Sequence, residues 1–109
     1  MKKYLVNAFS IQMLSGEMLS GAATVQTVRF EEIDATDVPS DVVSAIGHAD
    51  TAAVLSEVLG FPVPMNRINV ALDENTELYV AQLVGGRLPE GATTLPEGFS
   101  FKFYRVTIV

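Results

Sequence analysis

The chain lacks cysteine altogether, contains a single histidine and is poor in basic residues. The absence of cysteine excludes disulfides and thiolate metal sites, and it favours an intracellular, cytoplasmic protein. One histidine cannot supply the Cys/His clusters that hold structural zinc. Only 7 lysines and arginines stand against 13 acidic residues, which gives a formal net charge of -6. Long DNA or RNA is therefore not an expected partner, because neutralising many phosphates requires a basic face.

Long apolar runs are also missing. Asn7, Ser10 and Gln12 interrupt the first apolar stretch before the core of a signal peptide can form. No stretch approaches the roughly 20 apolar residues that span a bilayer, so we expect a soluble protein without membrane contact. With 109 residues, 49% of them hydrophobic, the chain is expected to form one domain, residues 1–109, around one core.

Helical periodicity is clearest at residues 50–59, which predicts a helix there. Asp50 is the predicted N-cap, and Gly60 is the predicted stop. The apolar stripe of this helix consists of Ala52, Val54, Leu55, Val58 and Leu59.

Alternation of apolar and polar residues predicts about five strands, at residues 3–9, 23–30, 67–72, 76–83 and 99–109. Because residues 73–75 form a short polar connection, the third and fourth strands are predicted to be an antiparallel hairpin. Loops and turns are predicted at 15–16, 20–21, 31–40 and 85–98, with a helical turn at 41–45. Together these elements predict a single α+β domain, with a mixed or antiparallel sheet of about five strands and flanking helices.

His48 lies just before the predicted helix, in the segment SAIGHAD at 44–50. Imidazole can give or take a proton at neutral pH, which makes His48 a candidate general acid or base. The alternative is a surface or helix-capping histidine, and for a lone histidine without a motif that alternative is the more common one.

The segment GGRLPEG at 85–91 carries a second candidate site. Paired glycines let the backbone approach a ligand, and Arg87 offers a planar fork for phosphate. Glu90 can orient Arg87 or a hydroxyl group. The alternative is an ordinary surface turn with a weak ion pair.

Several of these segments occur together in one order along the chain: YLVNAFS at 4–10, SAIGH at 44–48, TA at 51–52, LG at 59–60, PMNR at 64–67 and RLPEG at 87–91. This series resembles the viral type III anti-CRISPR ring nucleases, long known as a domain of unknown function in archaeal viruses, phages and bacteria. The resemblance covers nearly the whole chain. IGH and RLPEG are specific in combination, although neither decides the matter alone.

The resemblance implies a homodimer that holds cyclic tetra-adenylate, the messenger of type III CRISPR systems, across its subunit interface and cleaves it without metal or cofactor. His48 resembles the catalytic histidine of that family, the general acid. Arg87 and Glu90 match its arginine and glutamate. The positions that resemble ligand-binding residues of the family are Asn7, Ser10, Arg67 and Gln82.

The residues suit such a reaction. RNA carries its own nucleophile, the 2′-hydroxyl, and cleavage then needs in-line geometry, a proton for the leaving oxygen and a cation for the phosphorane. His48 can supply the proton, and Arg87, with Arg67, the positive charge. The expected products are linear di-adenylates with 2′,3′-cyclic phosphate ends. Two alternatives remain: a protein that sequesters cyclic oligoadenylate without cutting it, and a structural or regulatory protein that contacts partners through apolar residues.

Overall fold

The structure, a computed structural model, describes residues 1–14 and 27–109. Its elements in chain order are β1 (Lys2–Val6), β2 (Val28–Ile33), β3 (Val43–Ser44), α1 (Ala49–Leu59), β4 (Thr76–Val84) and β5 (Ser100–Ile108). Short 3-10 helices lie at Ile11–Met13 and Ala35–Asp37. The five strands form one mixed sheet in the order β2-β5-β4-β1-β3, which confirms the predicted α+β class. Within the described ranges, no helix has the length and apolar character needed to cross a membrane.

The sheet has a parallel half and an antiparallel half. β1 pairs in parallel with both β3 and β4, whereas β5 runs antiparallel to β4 and β2. Parallel strands need a long connection, and α1 supplies it between β3 and β4. The carboxyl ends of β1, β3 and β4 therefore share one edge of the sheet, and α1 begins there. Ligand sites of open α/β sheets form at such edges.

The sheet is buried on both faces. The face toward α1 is formed by Leu5, Tyr79, Ala81 and Phe103, which pack with Ala52 and Leu55 of the helix. The opposite face is formed by Val6, Leu78, Val80 and Val106, which pack with Leu72. Because successive side chains of a strand point to opposite faces, a slip of one residue would exchange the two cores. This constraint fixes the register and the positions of the strand ends.

α1 ends at Gly60 as predicted, but Asp50 is not its N-cap. His48 has the extended backbone of an N-cap, with φ -130° and ψ 128°, and its Nδ1 atom accepts a hydrogen bond from the Asp50 amide at 3.3 Å. Asp50 lies inside the first helical turn, where a carboxylate still interacts favourably with the helix dipole.

The predicted hairpin is wrong. Residues 67–72 form no strand, and the neighbours of β4 are β1 and β5. The segment makes its backbone hydrogen bonds elsewhere. The Asn66 amide donates to the Ile46 carbonyl at 2.8 Å, and the Leu72 amide donates to the Met13 carbonyl at 2.6 Å. Apolar residues of this segment still pack against the sheet, which explains the strand-like alternation of its sequence.

Two further predictions need correction in the region between β2 and α1. The helical turn predicted at 41–45 is absent, since Val43 and Ser44 pair with Tyr4 and Leu5 as strand β3. The loop predicted at 31–40 begins later, because β2 continues to residue 33. This loop contains the 3-10 helix at Ala35–Asp37.

The remaining boundaries differ by a few residues. β5 confirms the last predicted strand, and β1 ends at Val6 rather than at residue 9. β2 begins at Val28, within the strand predicted at 23–30, whose first four positions lie outside the described residues. The turns predicted at 15–16 and 20–21 also lie outside them.

Candidate functional site

A cavity of about 380 Å³ lies at the shared carboxyl edge of the parallel strands. The parts of the chain that line this cavity include the segment after β1, the start of α1, the end of β4 and the loop that follows β4. Its lining includes Asn7, His48, Thr51, Gln82, Arg87 and Phe101. We call it the His48 pocket. Four predicted site residues thus meet in one pocket although they are far apart in the sequence.

The His48 ring is oriented by the helix that it caps. Its Nδ1 atom accepts the Asp50 amide hydrogen bond. A neutral imidazole that accepts at Nδ1 carries its proton at Nε2. In this form the opposite ring nitrogen is a hydrogen-bond donor that can hold a ligand oxygen. To deliver a proton, the ring must first become imidazolium, and a protonated Nδ1 no longer accepts the Asp50 amide hydrogen bond.

Arg87 reaches the pocket from the loop between β4 and β5. The side chain is exposed, so a ligand can contact its guanidinium group. Glu90 is also exposed, but it is not part of the pocket lining. Arg87 and Glu90 do not pair with each other. The ion pairs among residues 1–14 and 27–109 are Lys3–Asp41 and Arg105–Glu31.

Arg67 lies beside the pocket, held against the segment that leads into His48. Its Nε atom donates to the Gly47 carbonyl at 2.8 Å. A Cβ atom on Gly47 would lie 3.1 Å from Cγ of Arg67, so glycine permits this close approach. Arg67 lines a neighbouring cavity together with Ala45 and Asn69.

Hydrogen bonds join the segment before α1 to the segment that carries Arg67. The Ser44 hydroxyl donates to the Pro64 carbonyl at 2.6 Å, and the Asn66 side chain donates to the Ser44 carbonyl at 2.7 Å. These bonds give His48 and Arg67 a common backbone support.

Ser10 lines a third cavity of about 500 Å³, on the other side of Asn7. Its hydroxyl accepts a hydrogen bond from the Gln12 amide at 3.3 Å and caps the short helix that follows. Asn7 belongs to this cavity and to the His48 pocket, and Asn69 belongs to this cavity and to that of Arg67. The three cavities therefore adjoin. Sequence reasoning did not single out Asn69, because an isolated asparagine carries no pattern.

The displaced pKa values belong to groups away from this surface. A hydrogen bond from the Thr76 hydroxyl, and then one from the Asn75 amide, lower the pKa of Asp73. Burial raises the pKa of Tyr79. In the part of the chain that the structure describes, no three acidic or histidine side chains lie close enough to hold a metal ion.

Residues 3–100 match the model of the STIV B116-like family. The chain belongs to that family. Its fold matches B116 of Sulfolobus turreted icosahedral virus (STIV) with a TM-score of 0.73 and 26% identity, over 97% of this chain and 98% of that one. It is also 39% identical over 49 residues to "Uncharacterized protein 26" of Sulfolobus islandicus filamentous virus (isolate Iceland/Hveragerdi). That stretch is 45% of this chain and 41% of the viral protein.

In this B116-like chain, one imidazole and two guanidinium groups surround adjoining cavities that amide side chains also line. Guanidinium groups suit phosphate, and amide side chains suit the edges of nucleobases. The arrangement therefore fits a small anionic ligand that carries both phosphate groups and nucleobases.

Proposed function

We propose that this chain is a ring nuclease that binds cyclic tetra-adenylate and cleaves it to linear di-adenylates. The observation that supports this most directly is the His48 pocket. It brings the candidate general acid, His48, together with Arg87, Asn7 and Gln82. The same residues carry the resemblance to the type III anti-CRISPR ring nucleases. Cleavage of the messenger would shut down type III CRISPR signalling.

The chemistry proceeds by transesterification. The 2′-hydroxyl of one nucleotide attacks the adjacent phosphorus and loses its proton to solvent, and the bond from phosphorus to the 5′-oxygen breaks. His48, protonated to imidazolium, gives its Nε2 proton to that leaving oxygen and becomes the neutral imidazole. Arg87 stabilises the negative charge of the phosphorane, while Asn7 and Gln82 hold the ring in line. The products carry a 2′,3′-cyclic phosphate and a 5′-hydroxyl.

The proposed active form is a two-fold homodimer. Among residues 1–14 and 27–109, the lysine or arginine side chains that one protomer brings to the adjoining cavities are Arg67 and Arg87, whereas the ring has four phosphates. A second copy doubles these cations and covers the open side of the pocket. The ring has a two-fold axis that an isologous interface can share, so the two His48 side chains would cut opposite linkages.

The decisive experiment incubates the purified protein with labelled cyclic tetra-adenylate in excess chelator and identifies the products. We expect di-adenylate with a 2′,3′-cyclic phosphate end. Light scattering is expected to show a dimer that the ligand stabilises, because a ligand bound across an interface favours the assembled form.

Three results would contradict the proposal in different ways. Tight binding of an intact ring would indicate a sequestering protein. A protein that stays monomeric with bound ligand, or that cleaves only after a divalent ion is restored, would exclude this mechanism.

A further inference from the structure

Asp50 contacts both parts of the candidate catalytic apparatus. Its backbone amide donates to Nδ1 of His48 at 3.3 Å, and its carboxylate Oδ2 atom accepts the Gly91 amide at 2.8 Å. Gly91 lies in the loop that carries Arg87. One residue in the first turn of α1 thus connects the histidine with a loop that is 41 positions away in the chain.

The bond to Gly91 is of a different kind from the other backbone bonds of the 85–99 loop. Those bonds are local: the Ala92 amide donates to Pro89, and the Phe99 amide donates to Pro96. The bond to Asp50 instead attaches the loop to another element, and its charged acceptor strengthens it. Gly91, which donates this bond, has a φ of 79°, a conformation that other residues rarely adopt.

We propose that Asp50 is a positioning residue, which holds the 85–99 loop against α1 so that Arg87 stays in the pocket with His48. The catalytic part of this inference rests on the proposed ring-nuclease function, whereas the attachment of the loop does not. The competing explanation is that Asp50 only stabilises α1, as an acidic residue of the first turn does through the helix dipole.

Three variants separate these explanations. Asp50→Ala removes the acceptor for Gly91 but retains the backbone amide that bonds to His48. Asp50→Asn retains an acceptor oxygen and removes the charge. Glu57→Ala removes an exposed carboxylate of the same helix outside the first turn, and it serves as the matched control.

The first measurement needs no nucleotide. Trypsin cleavage after Arg87 is followed by mass spectrometry, with cleavage after Lys102 of β5 as the internal reference. Loss of one charge-assisted hydrogen bond should raise the rate at Arg87 about tenfold in Asp50→Ala. The Asp50→Asn protein keeps a weaker, neutral hydrogen bond, so it should be cut at a rate between those of the parent and Asp50→Ala. The Glu57→Ala protein should be cut like the parent. This result would stand even if the protein did not cleave cyclic tetra-adenylate.

The second measurement is a double-mutant cycle on cleavage of cyclic tetra-adenylate. Asp50→Ala should lower kcat about tenfold in the parent, and it should have little further effect once Arg87 is alanine, because it acts through Arg87. Asp50→Asn should restore most of the rate.

Three results would overturn the proposal. The first is a rate of trypsin cleavage at Arg87 that is unchanged in Asp50→Ala, and the second is an Asp50→Asn protein that trypsin cuts as fast as Asp50→Ala. The third is an additive effect of the Asp50 and Arg87 substitutions on kcat. If Asp50→Ala does not fold, as judged by circular dichroism, Gly91→Ala tests the same bond from the loop side. That variant strains the backbone where a side chain meets no neighbouring atom, and it should expose Arg87 equally. An unchanged cut in Gly91→Ala would also refute the proposal.

Discussion

The two ends of the parallel strands β1 and β4 are built in opposite ways. At the amino ends, the polar groups bond to one another. The Lys2 amide donates to the Asn75 carbonyl at 2.9 Å, and the Thr76 hydroxyl donates to Asp73 at 2.8 Å. At the carboxyl ends, the side chains of Asn7 and Gln82 line a cavity instead. Polar groups thus pair with one another at one end of the sheet, and at the other end polar side chains line the His48 pocket.

This difference suggests a division of roles within a few strands. Groups that satisfy one another add stability and leave nothing for a ligand, whereas groups that wait for a ligand contribute less until it binds. Substitutions at the amino ends should therefore change the free energy of unfolding, and substitutions at the carboxyl ends should change cleavage. The following predictions test that separation.

The largest effect is expected at His48. His48→Ala should lower the cleavage rate by a factor of about 10² to 10⁴ while binding persists, because the general acid is lost. His48→Asn is the matched control, since asparagine is a good N-cap but cannot deliver the proton. Only the alanine variant should also lose about 1 kcal/mol of stability. Single-turnover kinetics and thermal melting measure the two effects. Parental turnover in either variant would contradict the assignment.

A smaller effect is expected at Arg87. Arg87→Ala should weaken cleavage, and with it affinity, by about tenfold to a hundredfold, the range for a hydrogen bond with a charged partner. Arg29→Ala removes an exposed arginine of β2 outside the His48 pocket, and it should behave like the parent. Titration of labelled ligand checks the affinity. Equal losses of affinity in Arg87→Ala and Arg29→Ala would show that the overall charge of the protein, and not this loop, attracts the ligand.

At the amino ends, Asp73→Ala should lower the free energy of unfolding by about 1 kcal/mol, because it leaves the buried Thr76 hydroxyl without its acceptor. Cleavage per folded molecule should not change. Glu74→Ala, at an exposed position of the same turn, is the control and should alter neither quantity. Denaturant unfolding provides the measurement. A loss of cleavage in folded Asp73→Ala would break the separation between the two ends.

The smallest effect concerns pH. Hydrogen bonds in the folded state lower the pKa of Asp73 below its ordinary value of 3.8. A lowered pKa stabilises the protein above that ordinary value, and the contribution is lost as the pH falls through the folded-state pKa. The parent should therefore be more stable than Asp73→Asn near neutral pH, and the difference should narrow below about pH 3.8. A gap that stays constant down to pH 2 would refute this origin.

Part of the fold could be predicted because the sequence pattern that specifies it lies within one short stretch of the chain. Helical spacing identified α1, and alternation identified β5. The same alternation misled at residues 67–72, since a chain that packs irregularly on a sheet can place its apolar residues at every second position. The strands that pair with β4 are β5 and β1. Lys2 of β1 pairs with Thr76 of β4, and no local pattern records a pairing between segments so far apart in the chain.

The candidate site shows the same limit. The resemblance named His48, Arg87, Asn7 and Gln82, and the structure brings these four into one pocket. Helix capping was the alternative role considered for His48, but Asp50 was predicted as the N-cap because the usual preferences point to it. The structure makes His48 the cap. Glu90 lies outside the pocket lining, in a position that depends on a loop conformation that the sequence does not specify.

The position of β1 in the sheet has a consequence for synthesis of the protein. Among the strands of residues 1–14 and 27–109, β1 is synthesised first, yet it lies between β3 and β4. Until β4 has been made, the described neighbour available to β1 is β3, which pairs with it through two residues. The edge of β1 that faces β4 therefore stays unpaired until β4 has been synthesised. Folding dominated by such distant pairings is slow, and chaperones or a slow elongation rate should affect the yield of this small protein more than its length suggests.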